Sequence, residues 1–455
     1  MRAYVVVDLG FGDCGKGLLT DFLVRRLMAG LVVRYNGGAQ AGHNVVAPDG
    51  RHHTFSQFGA GTFVAGVKTY LSRHVVIHPG ALLAEGRALE AKGVSDAFAR
   101  LRVSDQALVI TPFQQAANRI RELARGSERH GSCGVGVGET VEDALACPEQ
   151  HILAGDLADT SRLRRKLLAV RERKREQLAP FFKASPAHPQ LAREWEIFER
   201  EDIIDAWIAS LVPIRDLGLV TPDETLERWL RETETVVCEG AQGVLLDADA
   251  GFHPYTTWSC CTTTNAFELL DRHAPGADVF KIGVLRTYAV RHGPGPMPTE
   301  TGNLSSLISE HNQHNPWQGA VRYGWFDAVL ARYALDVTGG VDSLAVTHMD
   351  ALAHLPAWTY CPSYQQSPAF ERTTVRAQTV GGLLTGFRLP GPLPLSEREQ
   401  FTLALSAAKP LLESCDPDEG RVVQKIGSLL GQPVGIISRG PSASEVKVLK
   451  TIPDG

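Results

Sequence analysis

Apolar and β-branched residues dominate the stretch from Ala3 to Leu9, the pattern breaks at Gly10, and apolar positions then recur at helical spacing from Leu18 to Met28. This predicts a strand, a glycine loop and a helix in succession. A second strand is expected at Leu31–Tyr35, ending in Asn36-Gly37-Gly38, and further apolar runs at Ala107–Ile110, Thr235–Cys238, Val279–Val284 and Leu344–Thr347 alternate with helix-like segments. Such alternation favours an α/β fold with a mainly parallel central sheet flanked by helices. Arg162–Arg175 carries eight basic residues, with Leu163, Leu167 and Val170 at helical spacing among them. That pattern predicts a helix with one buried stripe and a solvated basic face. The proline-rich Leu389–Leu395 reads as an extended connection before the last helical region.

Composition narrows the class. At 455 residues and 44% hydrophobic, the chain can bury a large core. The formal charge of −5 argues against a general nucleic-acid or membrane-surface binder, while leaving small polyanions open to local charge. No apolar window reaches the ~18 residues of a membrane span. Asp8 also interrupts what would be a signal peptide's apolar stretch. A soluble cytoplasmic protein is expected. Eight cysteines show no CxxC and no zinc-type spacing, so they are expected to be reduced thiols, including the adjacent Cys260 and Cys261.

The segment Gly10-Phe11-Gly12-Asp13-Cys14-Gly15-Lys16-Gly17 satisfies GxxxxGK between a predicted strand and helix. Glycines let backbone N–H groups face phosphates, the helix N-terminus adds positive potential, and Lys16 supplies a point charge. Where an ordinary phosphate loop has the Ser or Thr that binds magnesium, this chain has Gly17, and Asp13 stands inside the loop as a replacement ligand or something more active. A second glycine loop, Asn36-Gly37-Gly38-Ala39-Gln40-Ala41-Gly42-His43-Asn44, also follows a strand, which would place it beside the first at the carboxyl edge of the sheet.

Together these loops resemble those of the adenylosuccinate synthetases. Further matching motifs are Cys238–Asp247 with His253–Thr257, Gly295–Glu300, Gly324–Asp327, Thr347–Asp350 and Ile437–Pro441. The resemblance implies a single phosphate-loop-type catalytic domain over residues 1–455 with small peripheral subdomains. Its phosphate loop would be 10–17, its acceptor-side loops 36–44, 131–138 and 239–257, its amine-site loop 315–325, and its guanine-site segments 347–350 and 438–441.

The resemblance also implies a reaction: GTP phosphorylates a purine 6-oxo group, and an amine then displaces the phosphate. Asp13 would take the proton from purine N1 and touch Mg²⁺, with the Gly42 carbonyl as a second metal contact. His43 would donate a proton or hydrogen bond where charge develops during phosphoryl transfer, and Gln242 would bind the 6-oxo region. Gly12, Gly15, Lys16 and Gly17 would hold the triphosphate. Asp350 would accept from guanine N1–H and N2–H₂, and Ser438, Gly440 and Pro441 would close over the base. His348 stands where the family usually has Lys. A homodimer is implied.

Three departures from the family pattern fall on the acceptor and amine side. Ala39 and Gln40 replace the family's His and Asn, which lengthens the amide's reach. Gly131–Gly138 keeps a hydroxyl at Ser132, and Thr257 matches a second acceptor contact, yet Val141–Ile152 contains no arginine. Losing a phosphate-binding cation costs ~1.5–3 kcal/mol per charge-assisted bond. In Asn315–Trp325 only Arg322 remains of an arginine cluster that clamps aspartate. The expectation is a GTP-dependent ligase with an altered purine-like acceptor, an altered amino acid or other amine, or both. The alternatives are an ordinary adenylosuccinate synthetase and a GTP-dependent kinase or non-catalytic GTP-binding module.

Overall fold

A computed structural model describes the chain except residues 185–187, 309–313, 316, 451 and 454–455. Ten strands form the central sheet: β1 (Arg2–Asp8), β2 (Leu31–Arg34), β3 (Lys68–Leu71), β4 (Leu101–Ser104), β5 (Val220–Thr221), β6 (Thr235–Glu239), β7 (Asp278–Arg286), β8 (Ser343–Thr347), β9 (Val434–Ser438) and β10 (Val446–Val448). Their lateral order is β10-β9-β8-β7-β1-β6-β2-β3-β4-β5. Neighbours run parallel except β9 and β10.

β1 is apolar at successive positions because both of its faces are covered. Tyr4 and Val6 pack with Leu19, Phe22 and Leu23 of α1 (Lys16–Arg26), and Ala3 and Val5 pack with Trp229 and Leu270 on the opposite face. The parallel arrangement brings the carboxyl ends of β1, β2, β6, β7, β8 and β9 to one edge. Register there is tight: Glu239 pairs with Val6 on one side and Arg34 on the other, and Arg286 pairs with Thr347.

The expected strand at Ala107–Ile110 is reduced to Leu108–Val109, which pairs with Val76–Ile77 outside the large sheet. The sheet uses β4 instead, whose sequence Leu-Arg-Val-Ser hides a strand behind its polar positions. A helical layer follows, with α2 (Pro112–Arg125), α3 (Val137–Ala146) and α4 (Thr160–Ala184). In α4, Leu163, Leu167 and Val170 are buried as expected, but its basic face is not all solvated. Lys174 is fully buried and bridges Glu139 and Asp143 of α3 at 2.7 and 3.0 Å. A buried ammonium requires such partners, so this cluster ties α3, which leads out of the loop at 131–138, to α4.

The other end of the chain adds α5 (Ala328–Val337) and a five-stranded sheet that includes Trp358–Tyr364 and Leu383–Arg388. Residues 389–394 connect that sheet to the helix Leu395–Ser406 without regular structure. All eight cysteines are unbridged. Among the described residues, no helix is long and apolar enough to cross a membrane.

Candidate active site

The phosphate loop is built around a carboxylate at the end of β1. Asp8 Oδ1 accepts from the Gly10 and Gly12 amides at 2.8 and 3.3 Å, and Oδ2 accepts from the Cys14 amide and Lys16 Nζ, both at 2.9 Å. Lys16, buried in α1's first turn, also donates to the Gly12 carbonyl. Asp8 is therefore the floor of the loop, and the lysine is held down on it. Gly12 adopts φ +105° with its Cα against the Gln242 backbone, a conformation and a contact that both disfavour a side chain. At Gly17 the constraint is space: a Cβ would lie 2.8 Å from His43 Cβ. The hydroxyl of an ordinary phosphate loop is excluded here by the strand His43–Val46 packed over α1.

Asp13 projects from the top of the loop with its side chain 37% exposed. Its Oδ2 lies 2.9 Å from His292 Nε2, and Arg286 Nε donates to its backbone carbonyl. Burial works against its charge, but the His292 hydrogen bond and the positive charges of Arg286 and Lys16 outweigh it and hold the carboxyl at about 2. Oδ1 has no hydrogen bond among the described residues. The open oxygen of this ionised carboxylate has two lone pairs, so it can accept a proton with one and touch with the other a hard divalent cation that takes its remaining ligands from water and phosphate.

His43 is buried, and its Nδ1 is 2.6 Å from Glu239 Oε1. Burial, then Arg34, push the imidazole down to about 4 against the pull of Glu239. Glu239 is fully buried, yet its carboxyl lies below its ordinary range because Arg34, His43 and the Ala60 amide oppose the burial cost. With the carboxylate ionised, Nδ1 carries the hydrogen and Nε2 carries the lone pair.

The second loop is stapled beside this pair. Asn36 accepts from the Ala241 amide at 2.7 Å and donates to the Ala241 and Cys260 carbonyls at 3.0 and 2.8 Å. This holds Gln242 in a left-handed conformation, φ 55°, against Gly37. The amide oxygens of Gln242 and Gln40 are both buried and have no hydrogen-bond partner among the described residues, which marks a place where a ligand's donors would be satisfied. Gly42 is exposed at the loop's crest.

On the acceptor side, Ser132 Oγ accepts from Asn118 at 2.9 Å and the Thr257 amide donates to the Leu246 carbonyl at 2.8 Å. The loop at 131–138 and the amine-site loop touch, since a Cβ on Gly134 would meet the Trp317 ring at 2.7 Å. Pro316 lies outside the described residues. Arg322 donates from Nε to Glu300 at 2.9 Å, makes a second contact to the same carboxylate through Nη2, and donates from Nη1 to the Gly293 and Gly295 carbonyls at 3.0 and 2.9 Å. At the guanine-side segments, Asp350 is exposed and its carboxyl is pushed up by burial of part of its surface and by nearby Glu445. Ser438 Oγ donates to the Gly440 carbonyl at 2.8 Å and leads into Pro441.

Several residues of the site escape a reading of the sequence by motif. Asp8 is visible as the charge that ends an apolar strand, Glu239 stands inside the quoted Cys238–Asp247 segment, and His292 precedes a Gly-Pro-Gly turn. Their roles appear only when separate strands meet.

Fold and site define a phosphate-loop α/β enzyme that works on nucleotides. The chain belongs to the adenylosuccinate synthetase family, whose model, described as adenylosuccinate synthetase, matches residues 5–392. The adenylosuccinate synthetase of Mycolicibacterium vanbaalenii is 34% identical over 362 residues, 78% of each chain, and that of Rhodococcus opacus 35% identical over 356 residues, again 78% of each. The fully ligated adenylosuccinate synthetase of Plasmodium falciparum superposes with a TM-score of 0.75 at 20% identity, covering 99% of this chain and 100% of that one. The succinoaminodeoxyadenylate synthetase of cyanophage S-2L, bound to dGMP and to dATP as an energy donor, superposes with a TM-score of 0.60 at 18% identity over 99% and 96%. The protein is accordingly a GTP-dependent ligase that forms a C–N bond. The family generally uses Mg²⁺, takes IMP and aspartate, and often forms dimers.

Proposed function

We propose that this ligase uses GTP to phosphorylate the 6-oxo group of a purine-like lactam and then replaces the phosphate with an amine, and that its acceptor, its amine or both differ from IMP and L-aspartate. The observation that carries the altered specificity is the state of Arg322. It is the sole arginine of its loop, and its guanidinium is already committed to Glu300 and two backbone carbonyls. Any carboxylate would have to displace Glu300, and a dicarboxylate would still leave one of its own charges without a cation, whereas a monocarboxylate amino acid leaves none over and ammonia needs no cation.

In the first step, Asp13 Oδ1 accepts the lactam N1 proton. A carboxylate held at about 2 is a weak base, so the proton leaves as the O–P bond forms and N1 loses its basicity. Lys16 leaves Asp8 and the Gly12 carbonyl to meet the phosphates, which the Gly15 and Gly17 backbone also contacts. Neutral His43 presents a lone pair at Nε2; the negative charge of the arriving phosphates favours uptake of a proton from solvent there, and the imidazolium, braced by Glu239, then donates toward the transferring group. Mg²⁺, held by Asp13 and the Gly42 carbonyl, would neutralise charge on the phosphates. Gln242 and Gln40 orient the purine-like ring through their open amide oxygens, Ser132 and Thr257 hold its substituent, and Asp350 with Ser438–Pro441 takes the guanine. In the second step the amine lone pair forms the C6–N bond, the C6–O bond breaks toward phosphate, and the amine's surplus proton leaves to solvent. Cytoplasmic location and a homodimer complete the reading.

Phosphate release tests it: IMP, dGMP, free purines and 7-deazapurines, each with GTP, Mg²⁺ and L-aspartate, a monocarboxylate amino acid or ammonia. dGMP belongs in the panel because the cyanophage synthetase binds it. A pair other than IMP with aspartate should turn over fastest. Preference for IMP with aspartate would establish the second reading, an ordinary synthetase, with which the 34–35% identity to such enzymes is equally consistent.

A further inference from the structure

We propose that His292 is the positioning residue of the proposed catalytic base: by donating Nε2–H to Asp13 Oδ2, it fixes which carboxylate oxygen faces the substrate. The inference rests on the reading of Asp13 given above.

The two residues are 279 positions apart and meet because β7 turns directly into the strand Ala289–His292, whose end reaches back over the phosphate loop. Two side chains from this segment grip Asp13, Arg286 on its main-chain carbonyl and His292 on its carboxylate at 2.9 Å. An ionised carboxylate can only accept, so the shared hydrogen belongs to His292 Nε2. The opposite ring nitrogen, Nδ1, is buried and has no hydrogen-bond partner among the described residues. Among the described residues, no hydrogen bond at Nδ1 competes with the one that holds the ring to Asp13.

The ring's own support is also visible. The strand Ala289–His292 pairs with Gly319–Gly324, placing His292 opposite Val321 and Arg291 opposite Arg322. Arg322 holds the Gly293 and Gly295 carbonyls, the turn immediately after His292, and is itself held by Glu300. A rigid route thus runs from Glu300 through Arg322 and the turn to the imidazole, and from there to the carboxylate. Arg322 does structural service to the base whatever else it binds. With Oδ2 occupied, Oδ1 is the oxygen left for the lactam proton.

The test uses the acceptor and amine that turn over fastest in the panel above, with saturating GTP and Mg²⁺. Glutamine can present its amide N–H where His292 has Nε2, whereas asparagine matches only the nearer Nδ1. His292→Asn should lower kcat about 10–100-fold with the KM for GTP within about twofold, the range found for partners that orient a functional group. His292→Gln should recover at least tenfold of that loss. ¹⁵N-histidine NMR should show a hydrogen-bonded N–H at Nε2 in the wild type and the loss of that hydrogen bond in Asp13→Ala. Unchanged kcat in a folded His292→Asn, or equal loss in the Gln and Asn variants, overturns the proposal. Asp13→Asn separates the two claims: if it keeps activity, the assignment of the base itself fails, and if it abolishes activity while His292→Asn does not, only the role of His292 fails.

Discussion

Glu239 and His43 show how one residue's ionisation is set by its neighbours. Glu239 would ordinarily raise the pKa of an imidazole 2.6 Å away, but Arg34 compensates its charge from the adjacent strand, so burial decides and His43 falls to about 4. In the unfolded chain the same group titrates near ~6.5. Between those values the unfolded state binds more protons, so stability is complete above ~6.5 and is lost as pH falls toward 4. The loss approaches ~2–3 kcal/mol at ~1.4 kcal/mol per unit. His43→Gln removes this contribution. Thermal unfolding at pH 7.5 and 5 should show a larger drop in midpoint for the wild type than for the variant, and equal drops would mean that the imidazole is not held neutral.

At the scale of elements, the packing of the strand His43–Val46 on α1 explains the most unusual letter of the phosphate loop. Gly17→Ser would supply the hydroxyl of an ordinary loop, but its Cβ would meet His43 Cβ at 2.8 Å and the His43 main-chain carbon at 2.9 Å. Overpacking of this kind costs ~1–3 kcal/mol. Gly17→Ser should therefore lower the unfolding midpoint and weaken GTP binding by calorimetry; tighter binding at unchanged stability would contradict the packing argument.

The elements differ in how far their sequence betrays them. β1, α1, β2, β6, β7 and β8 were legible because burial on both faces leaves long apolar runs and helical spacing. β4 was not, since Arg102 and Ser104 interrupt its pattern, and Leu108–Val109 drew the assignment instead. Within the site, residues marked by local glycine patterns, such as Asp13, Lys16 and His43, could be picked out in advance. Asp8, Glu239, His292 and Glu300 could not, because each acts through a partner brought by a different strand or turn. The solvated basic face expected of α4 failed at Lys174 for the same reason: its partners Glu139 and Asp143 come from α3.

Over the whole molecule, six strand ends converge on one edge, and the chemistry follows from what that convergence holds. On the proposed reading, the triphosphate side has a floored phosphate loop, a charged Asp13 and a braced His43. On the same reading, the side for acceptor and amine has a single arginine in residues 315–325, and it is committed to Glu300. The proposed function joins the two halves at a lactam oxygen that is phosphorylated. The most direct measurement of that claim uses the best acceptor of the panel, labelled with ¹⁸O at its lactam oxygen, under GTP-dependent turnover with its amine. The account predicts that the label appears in the released phosphate, one atom per C–N bond formed. Label retained in the product, or lost to water while the phosphate stays unlabelled, would contradict it.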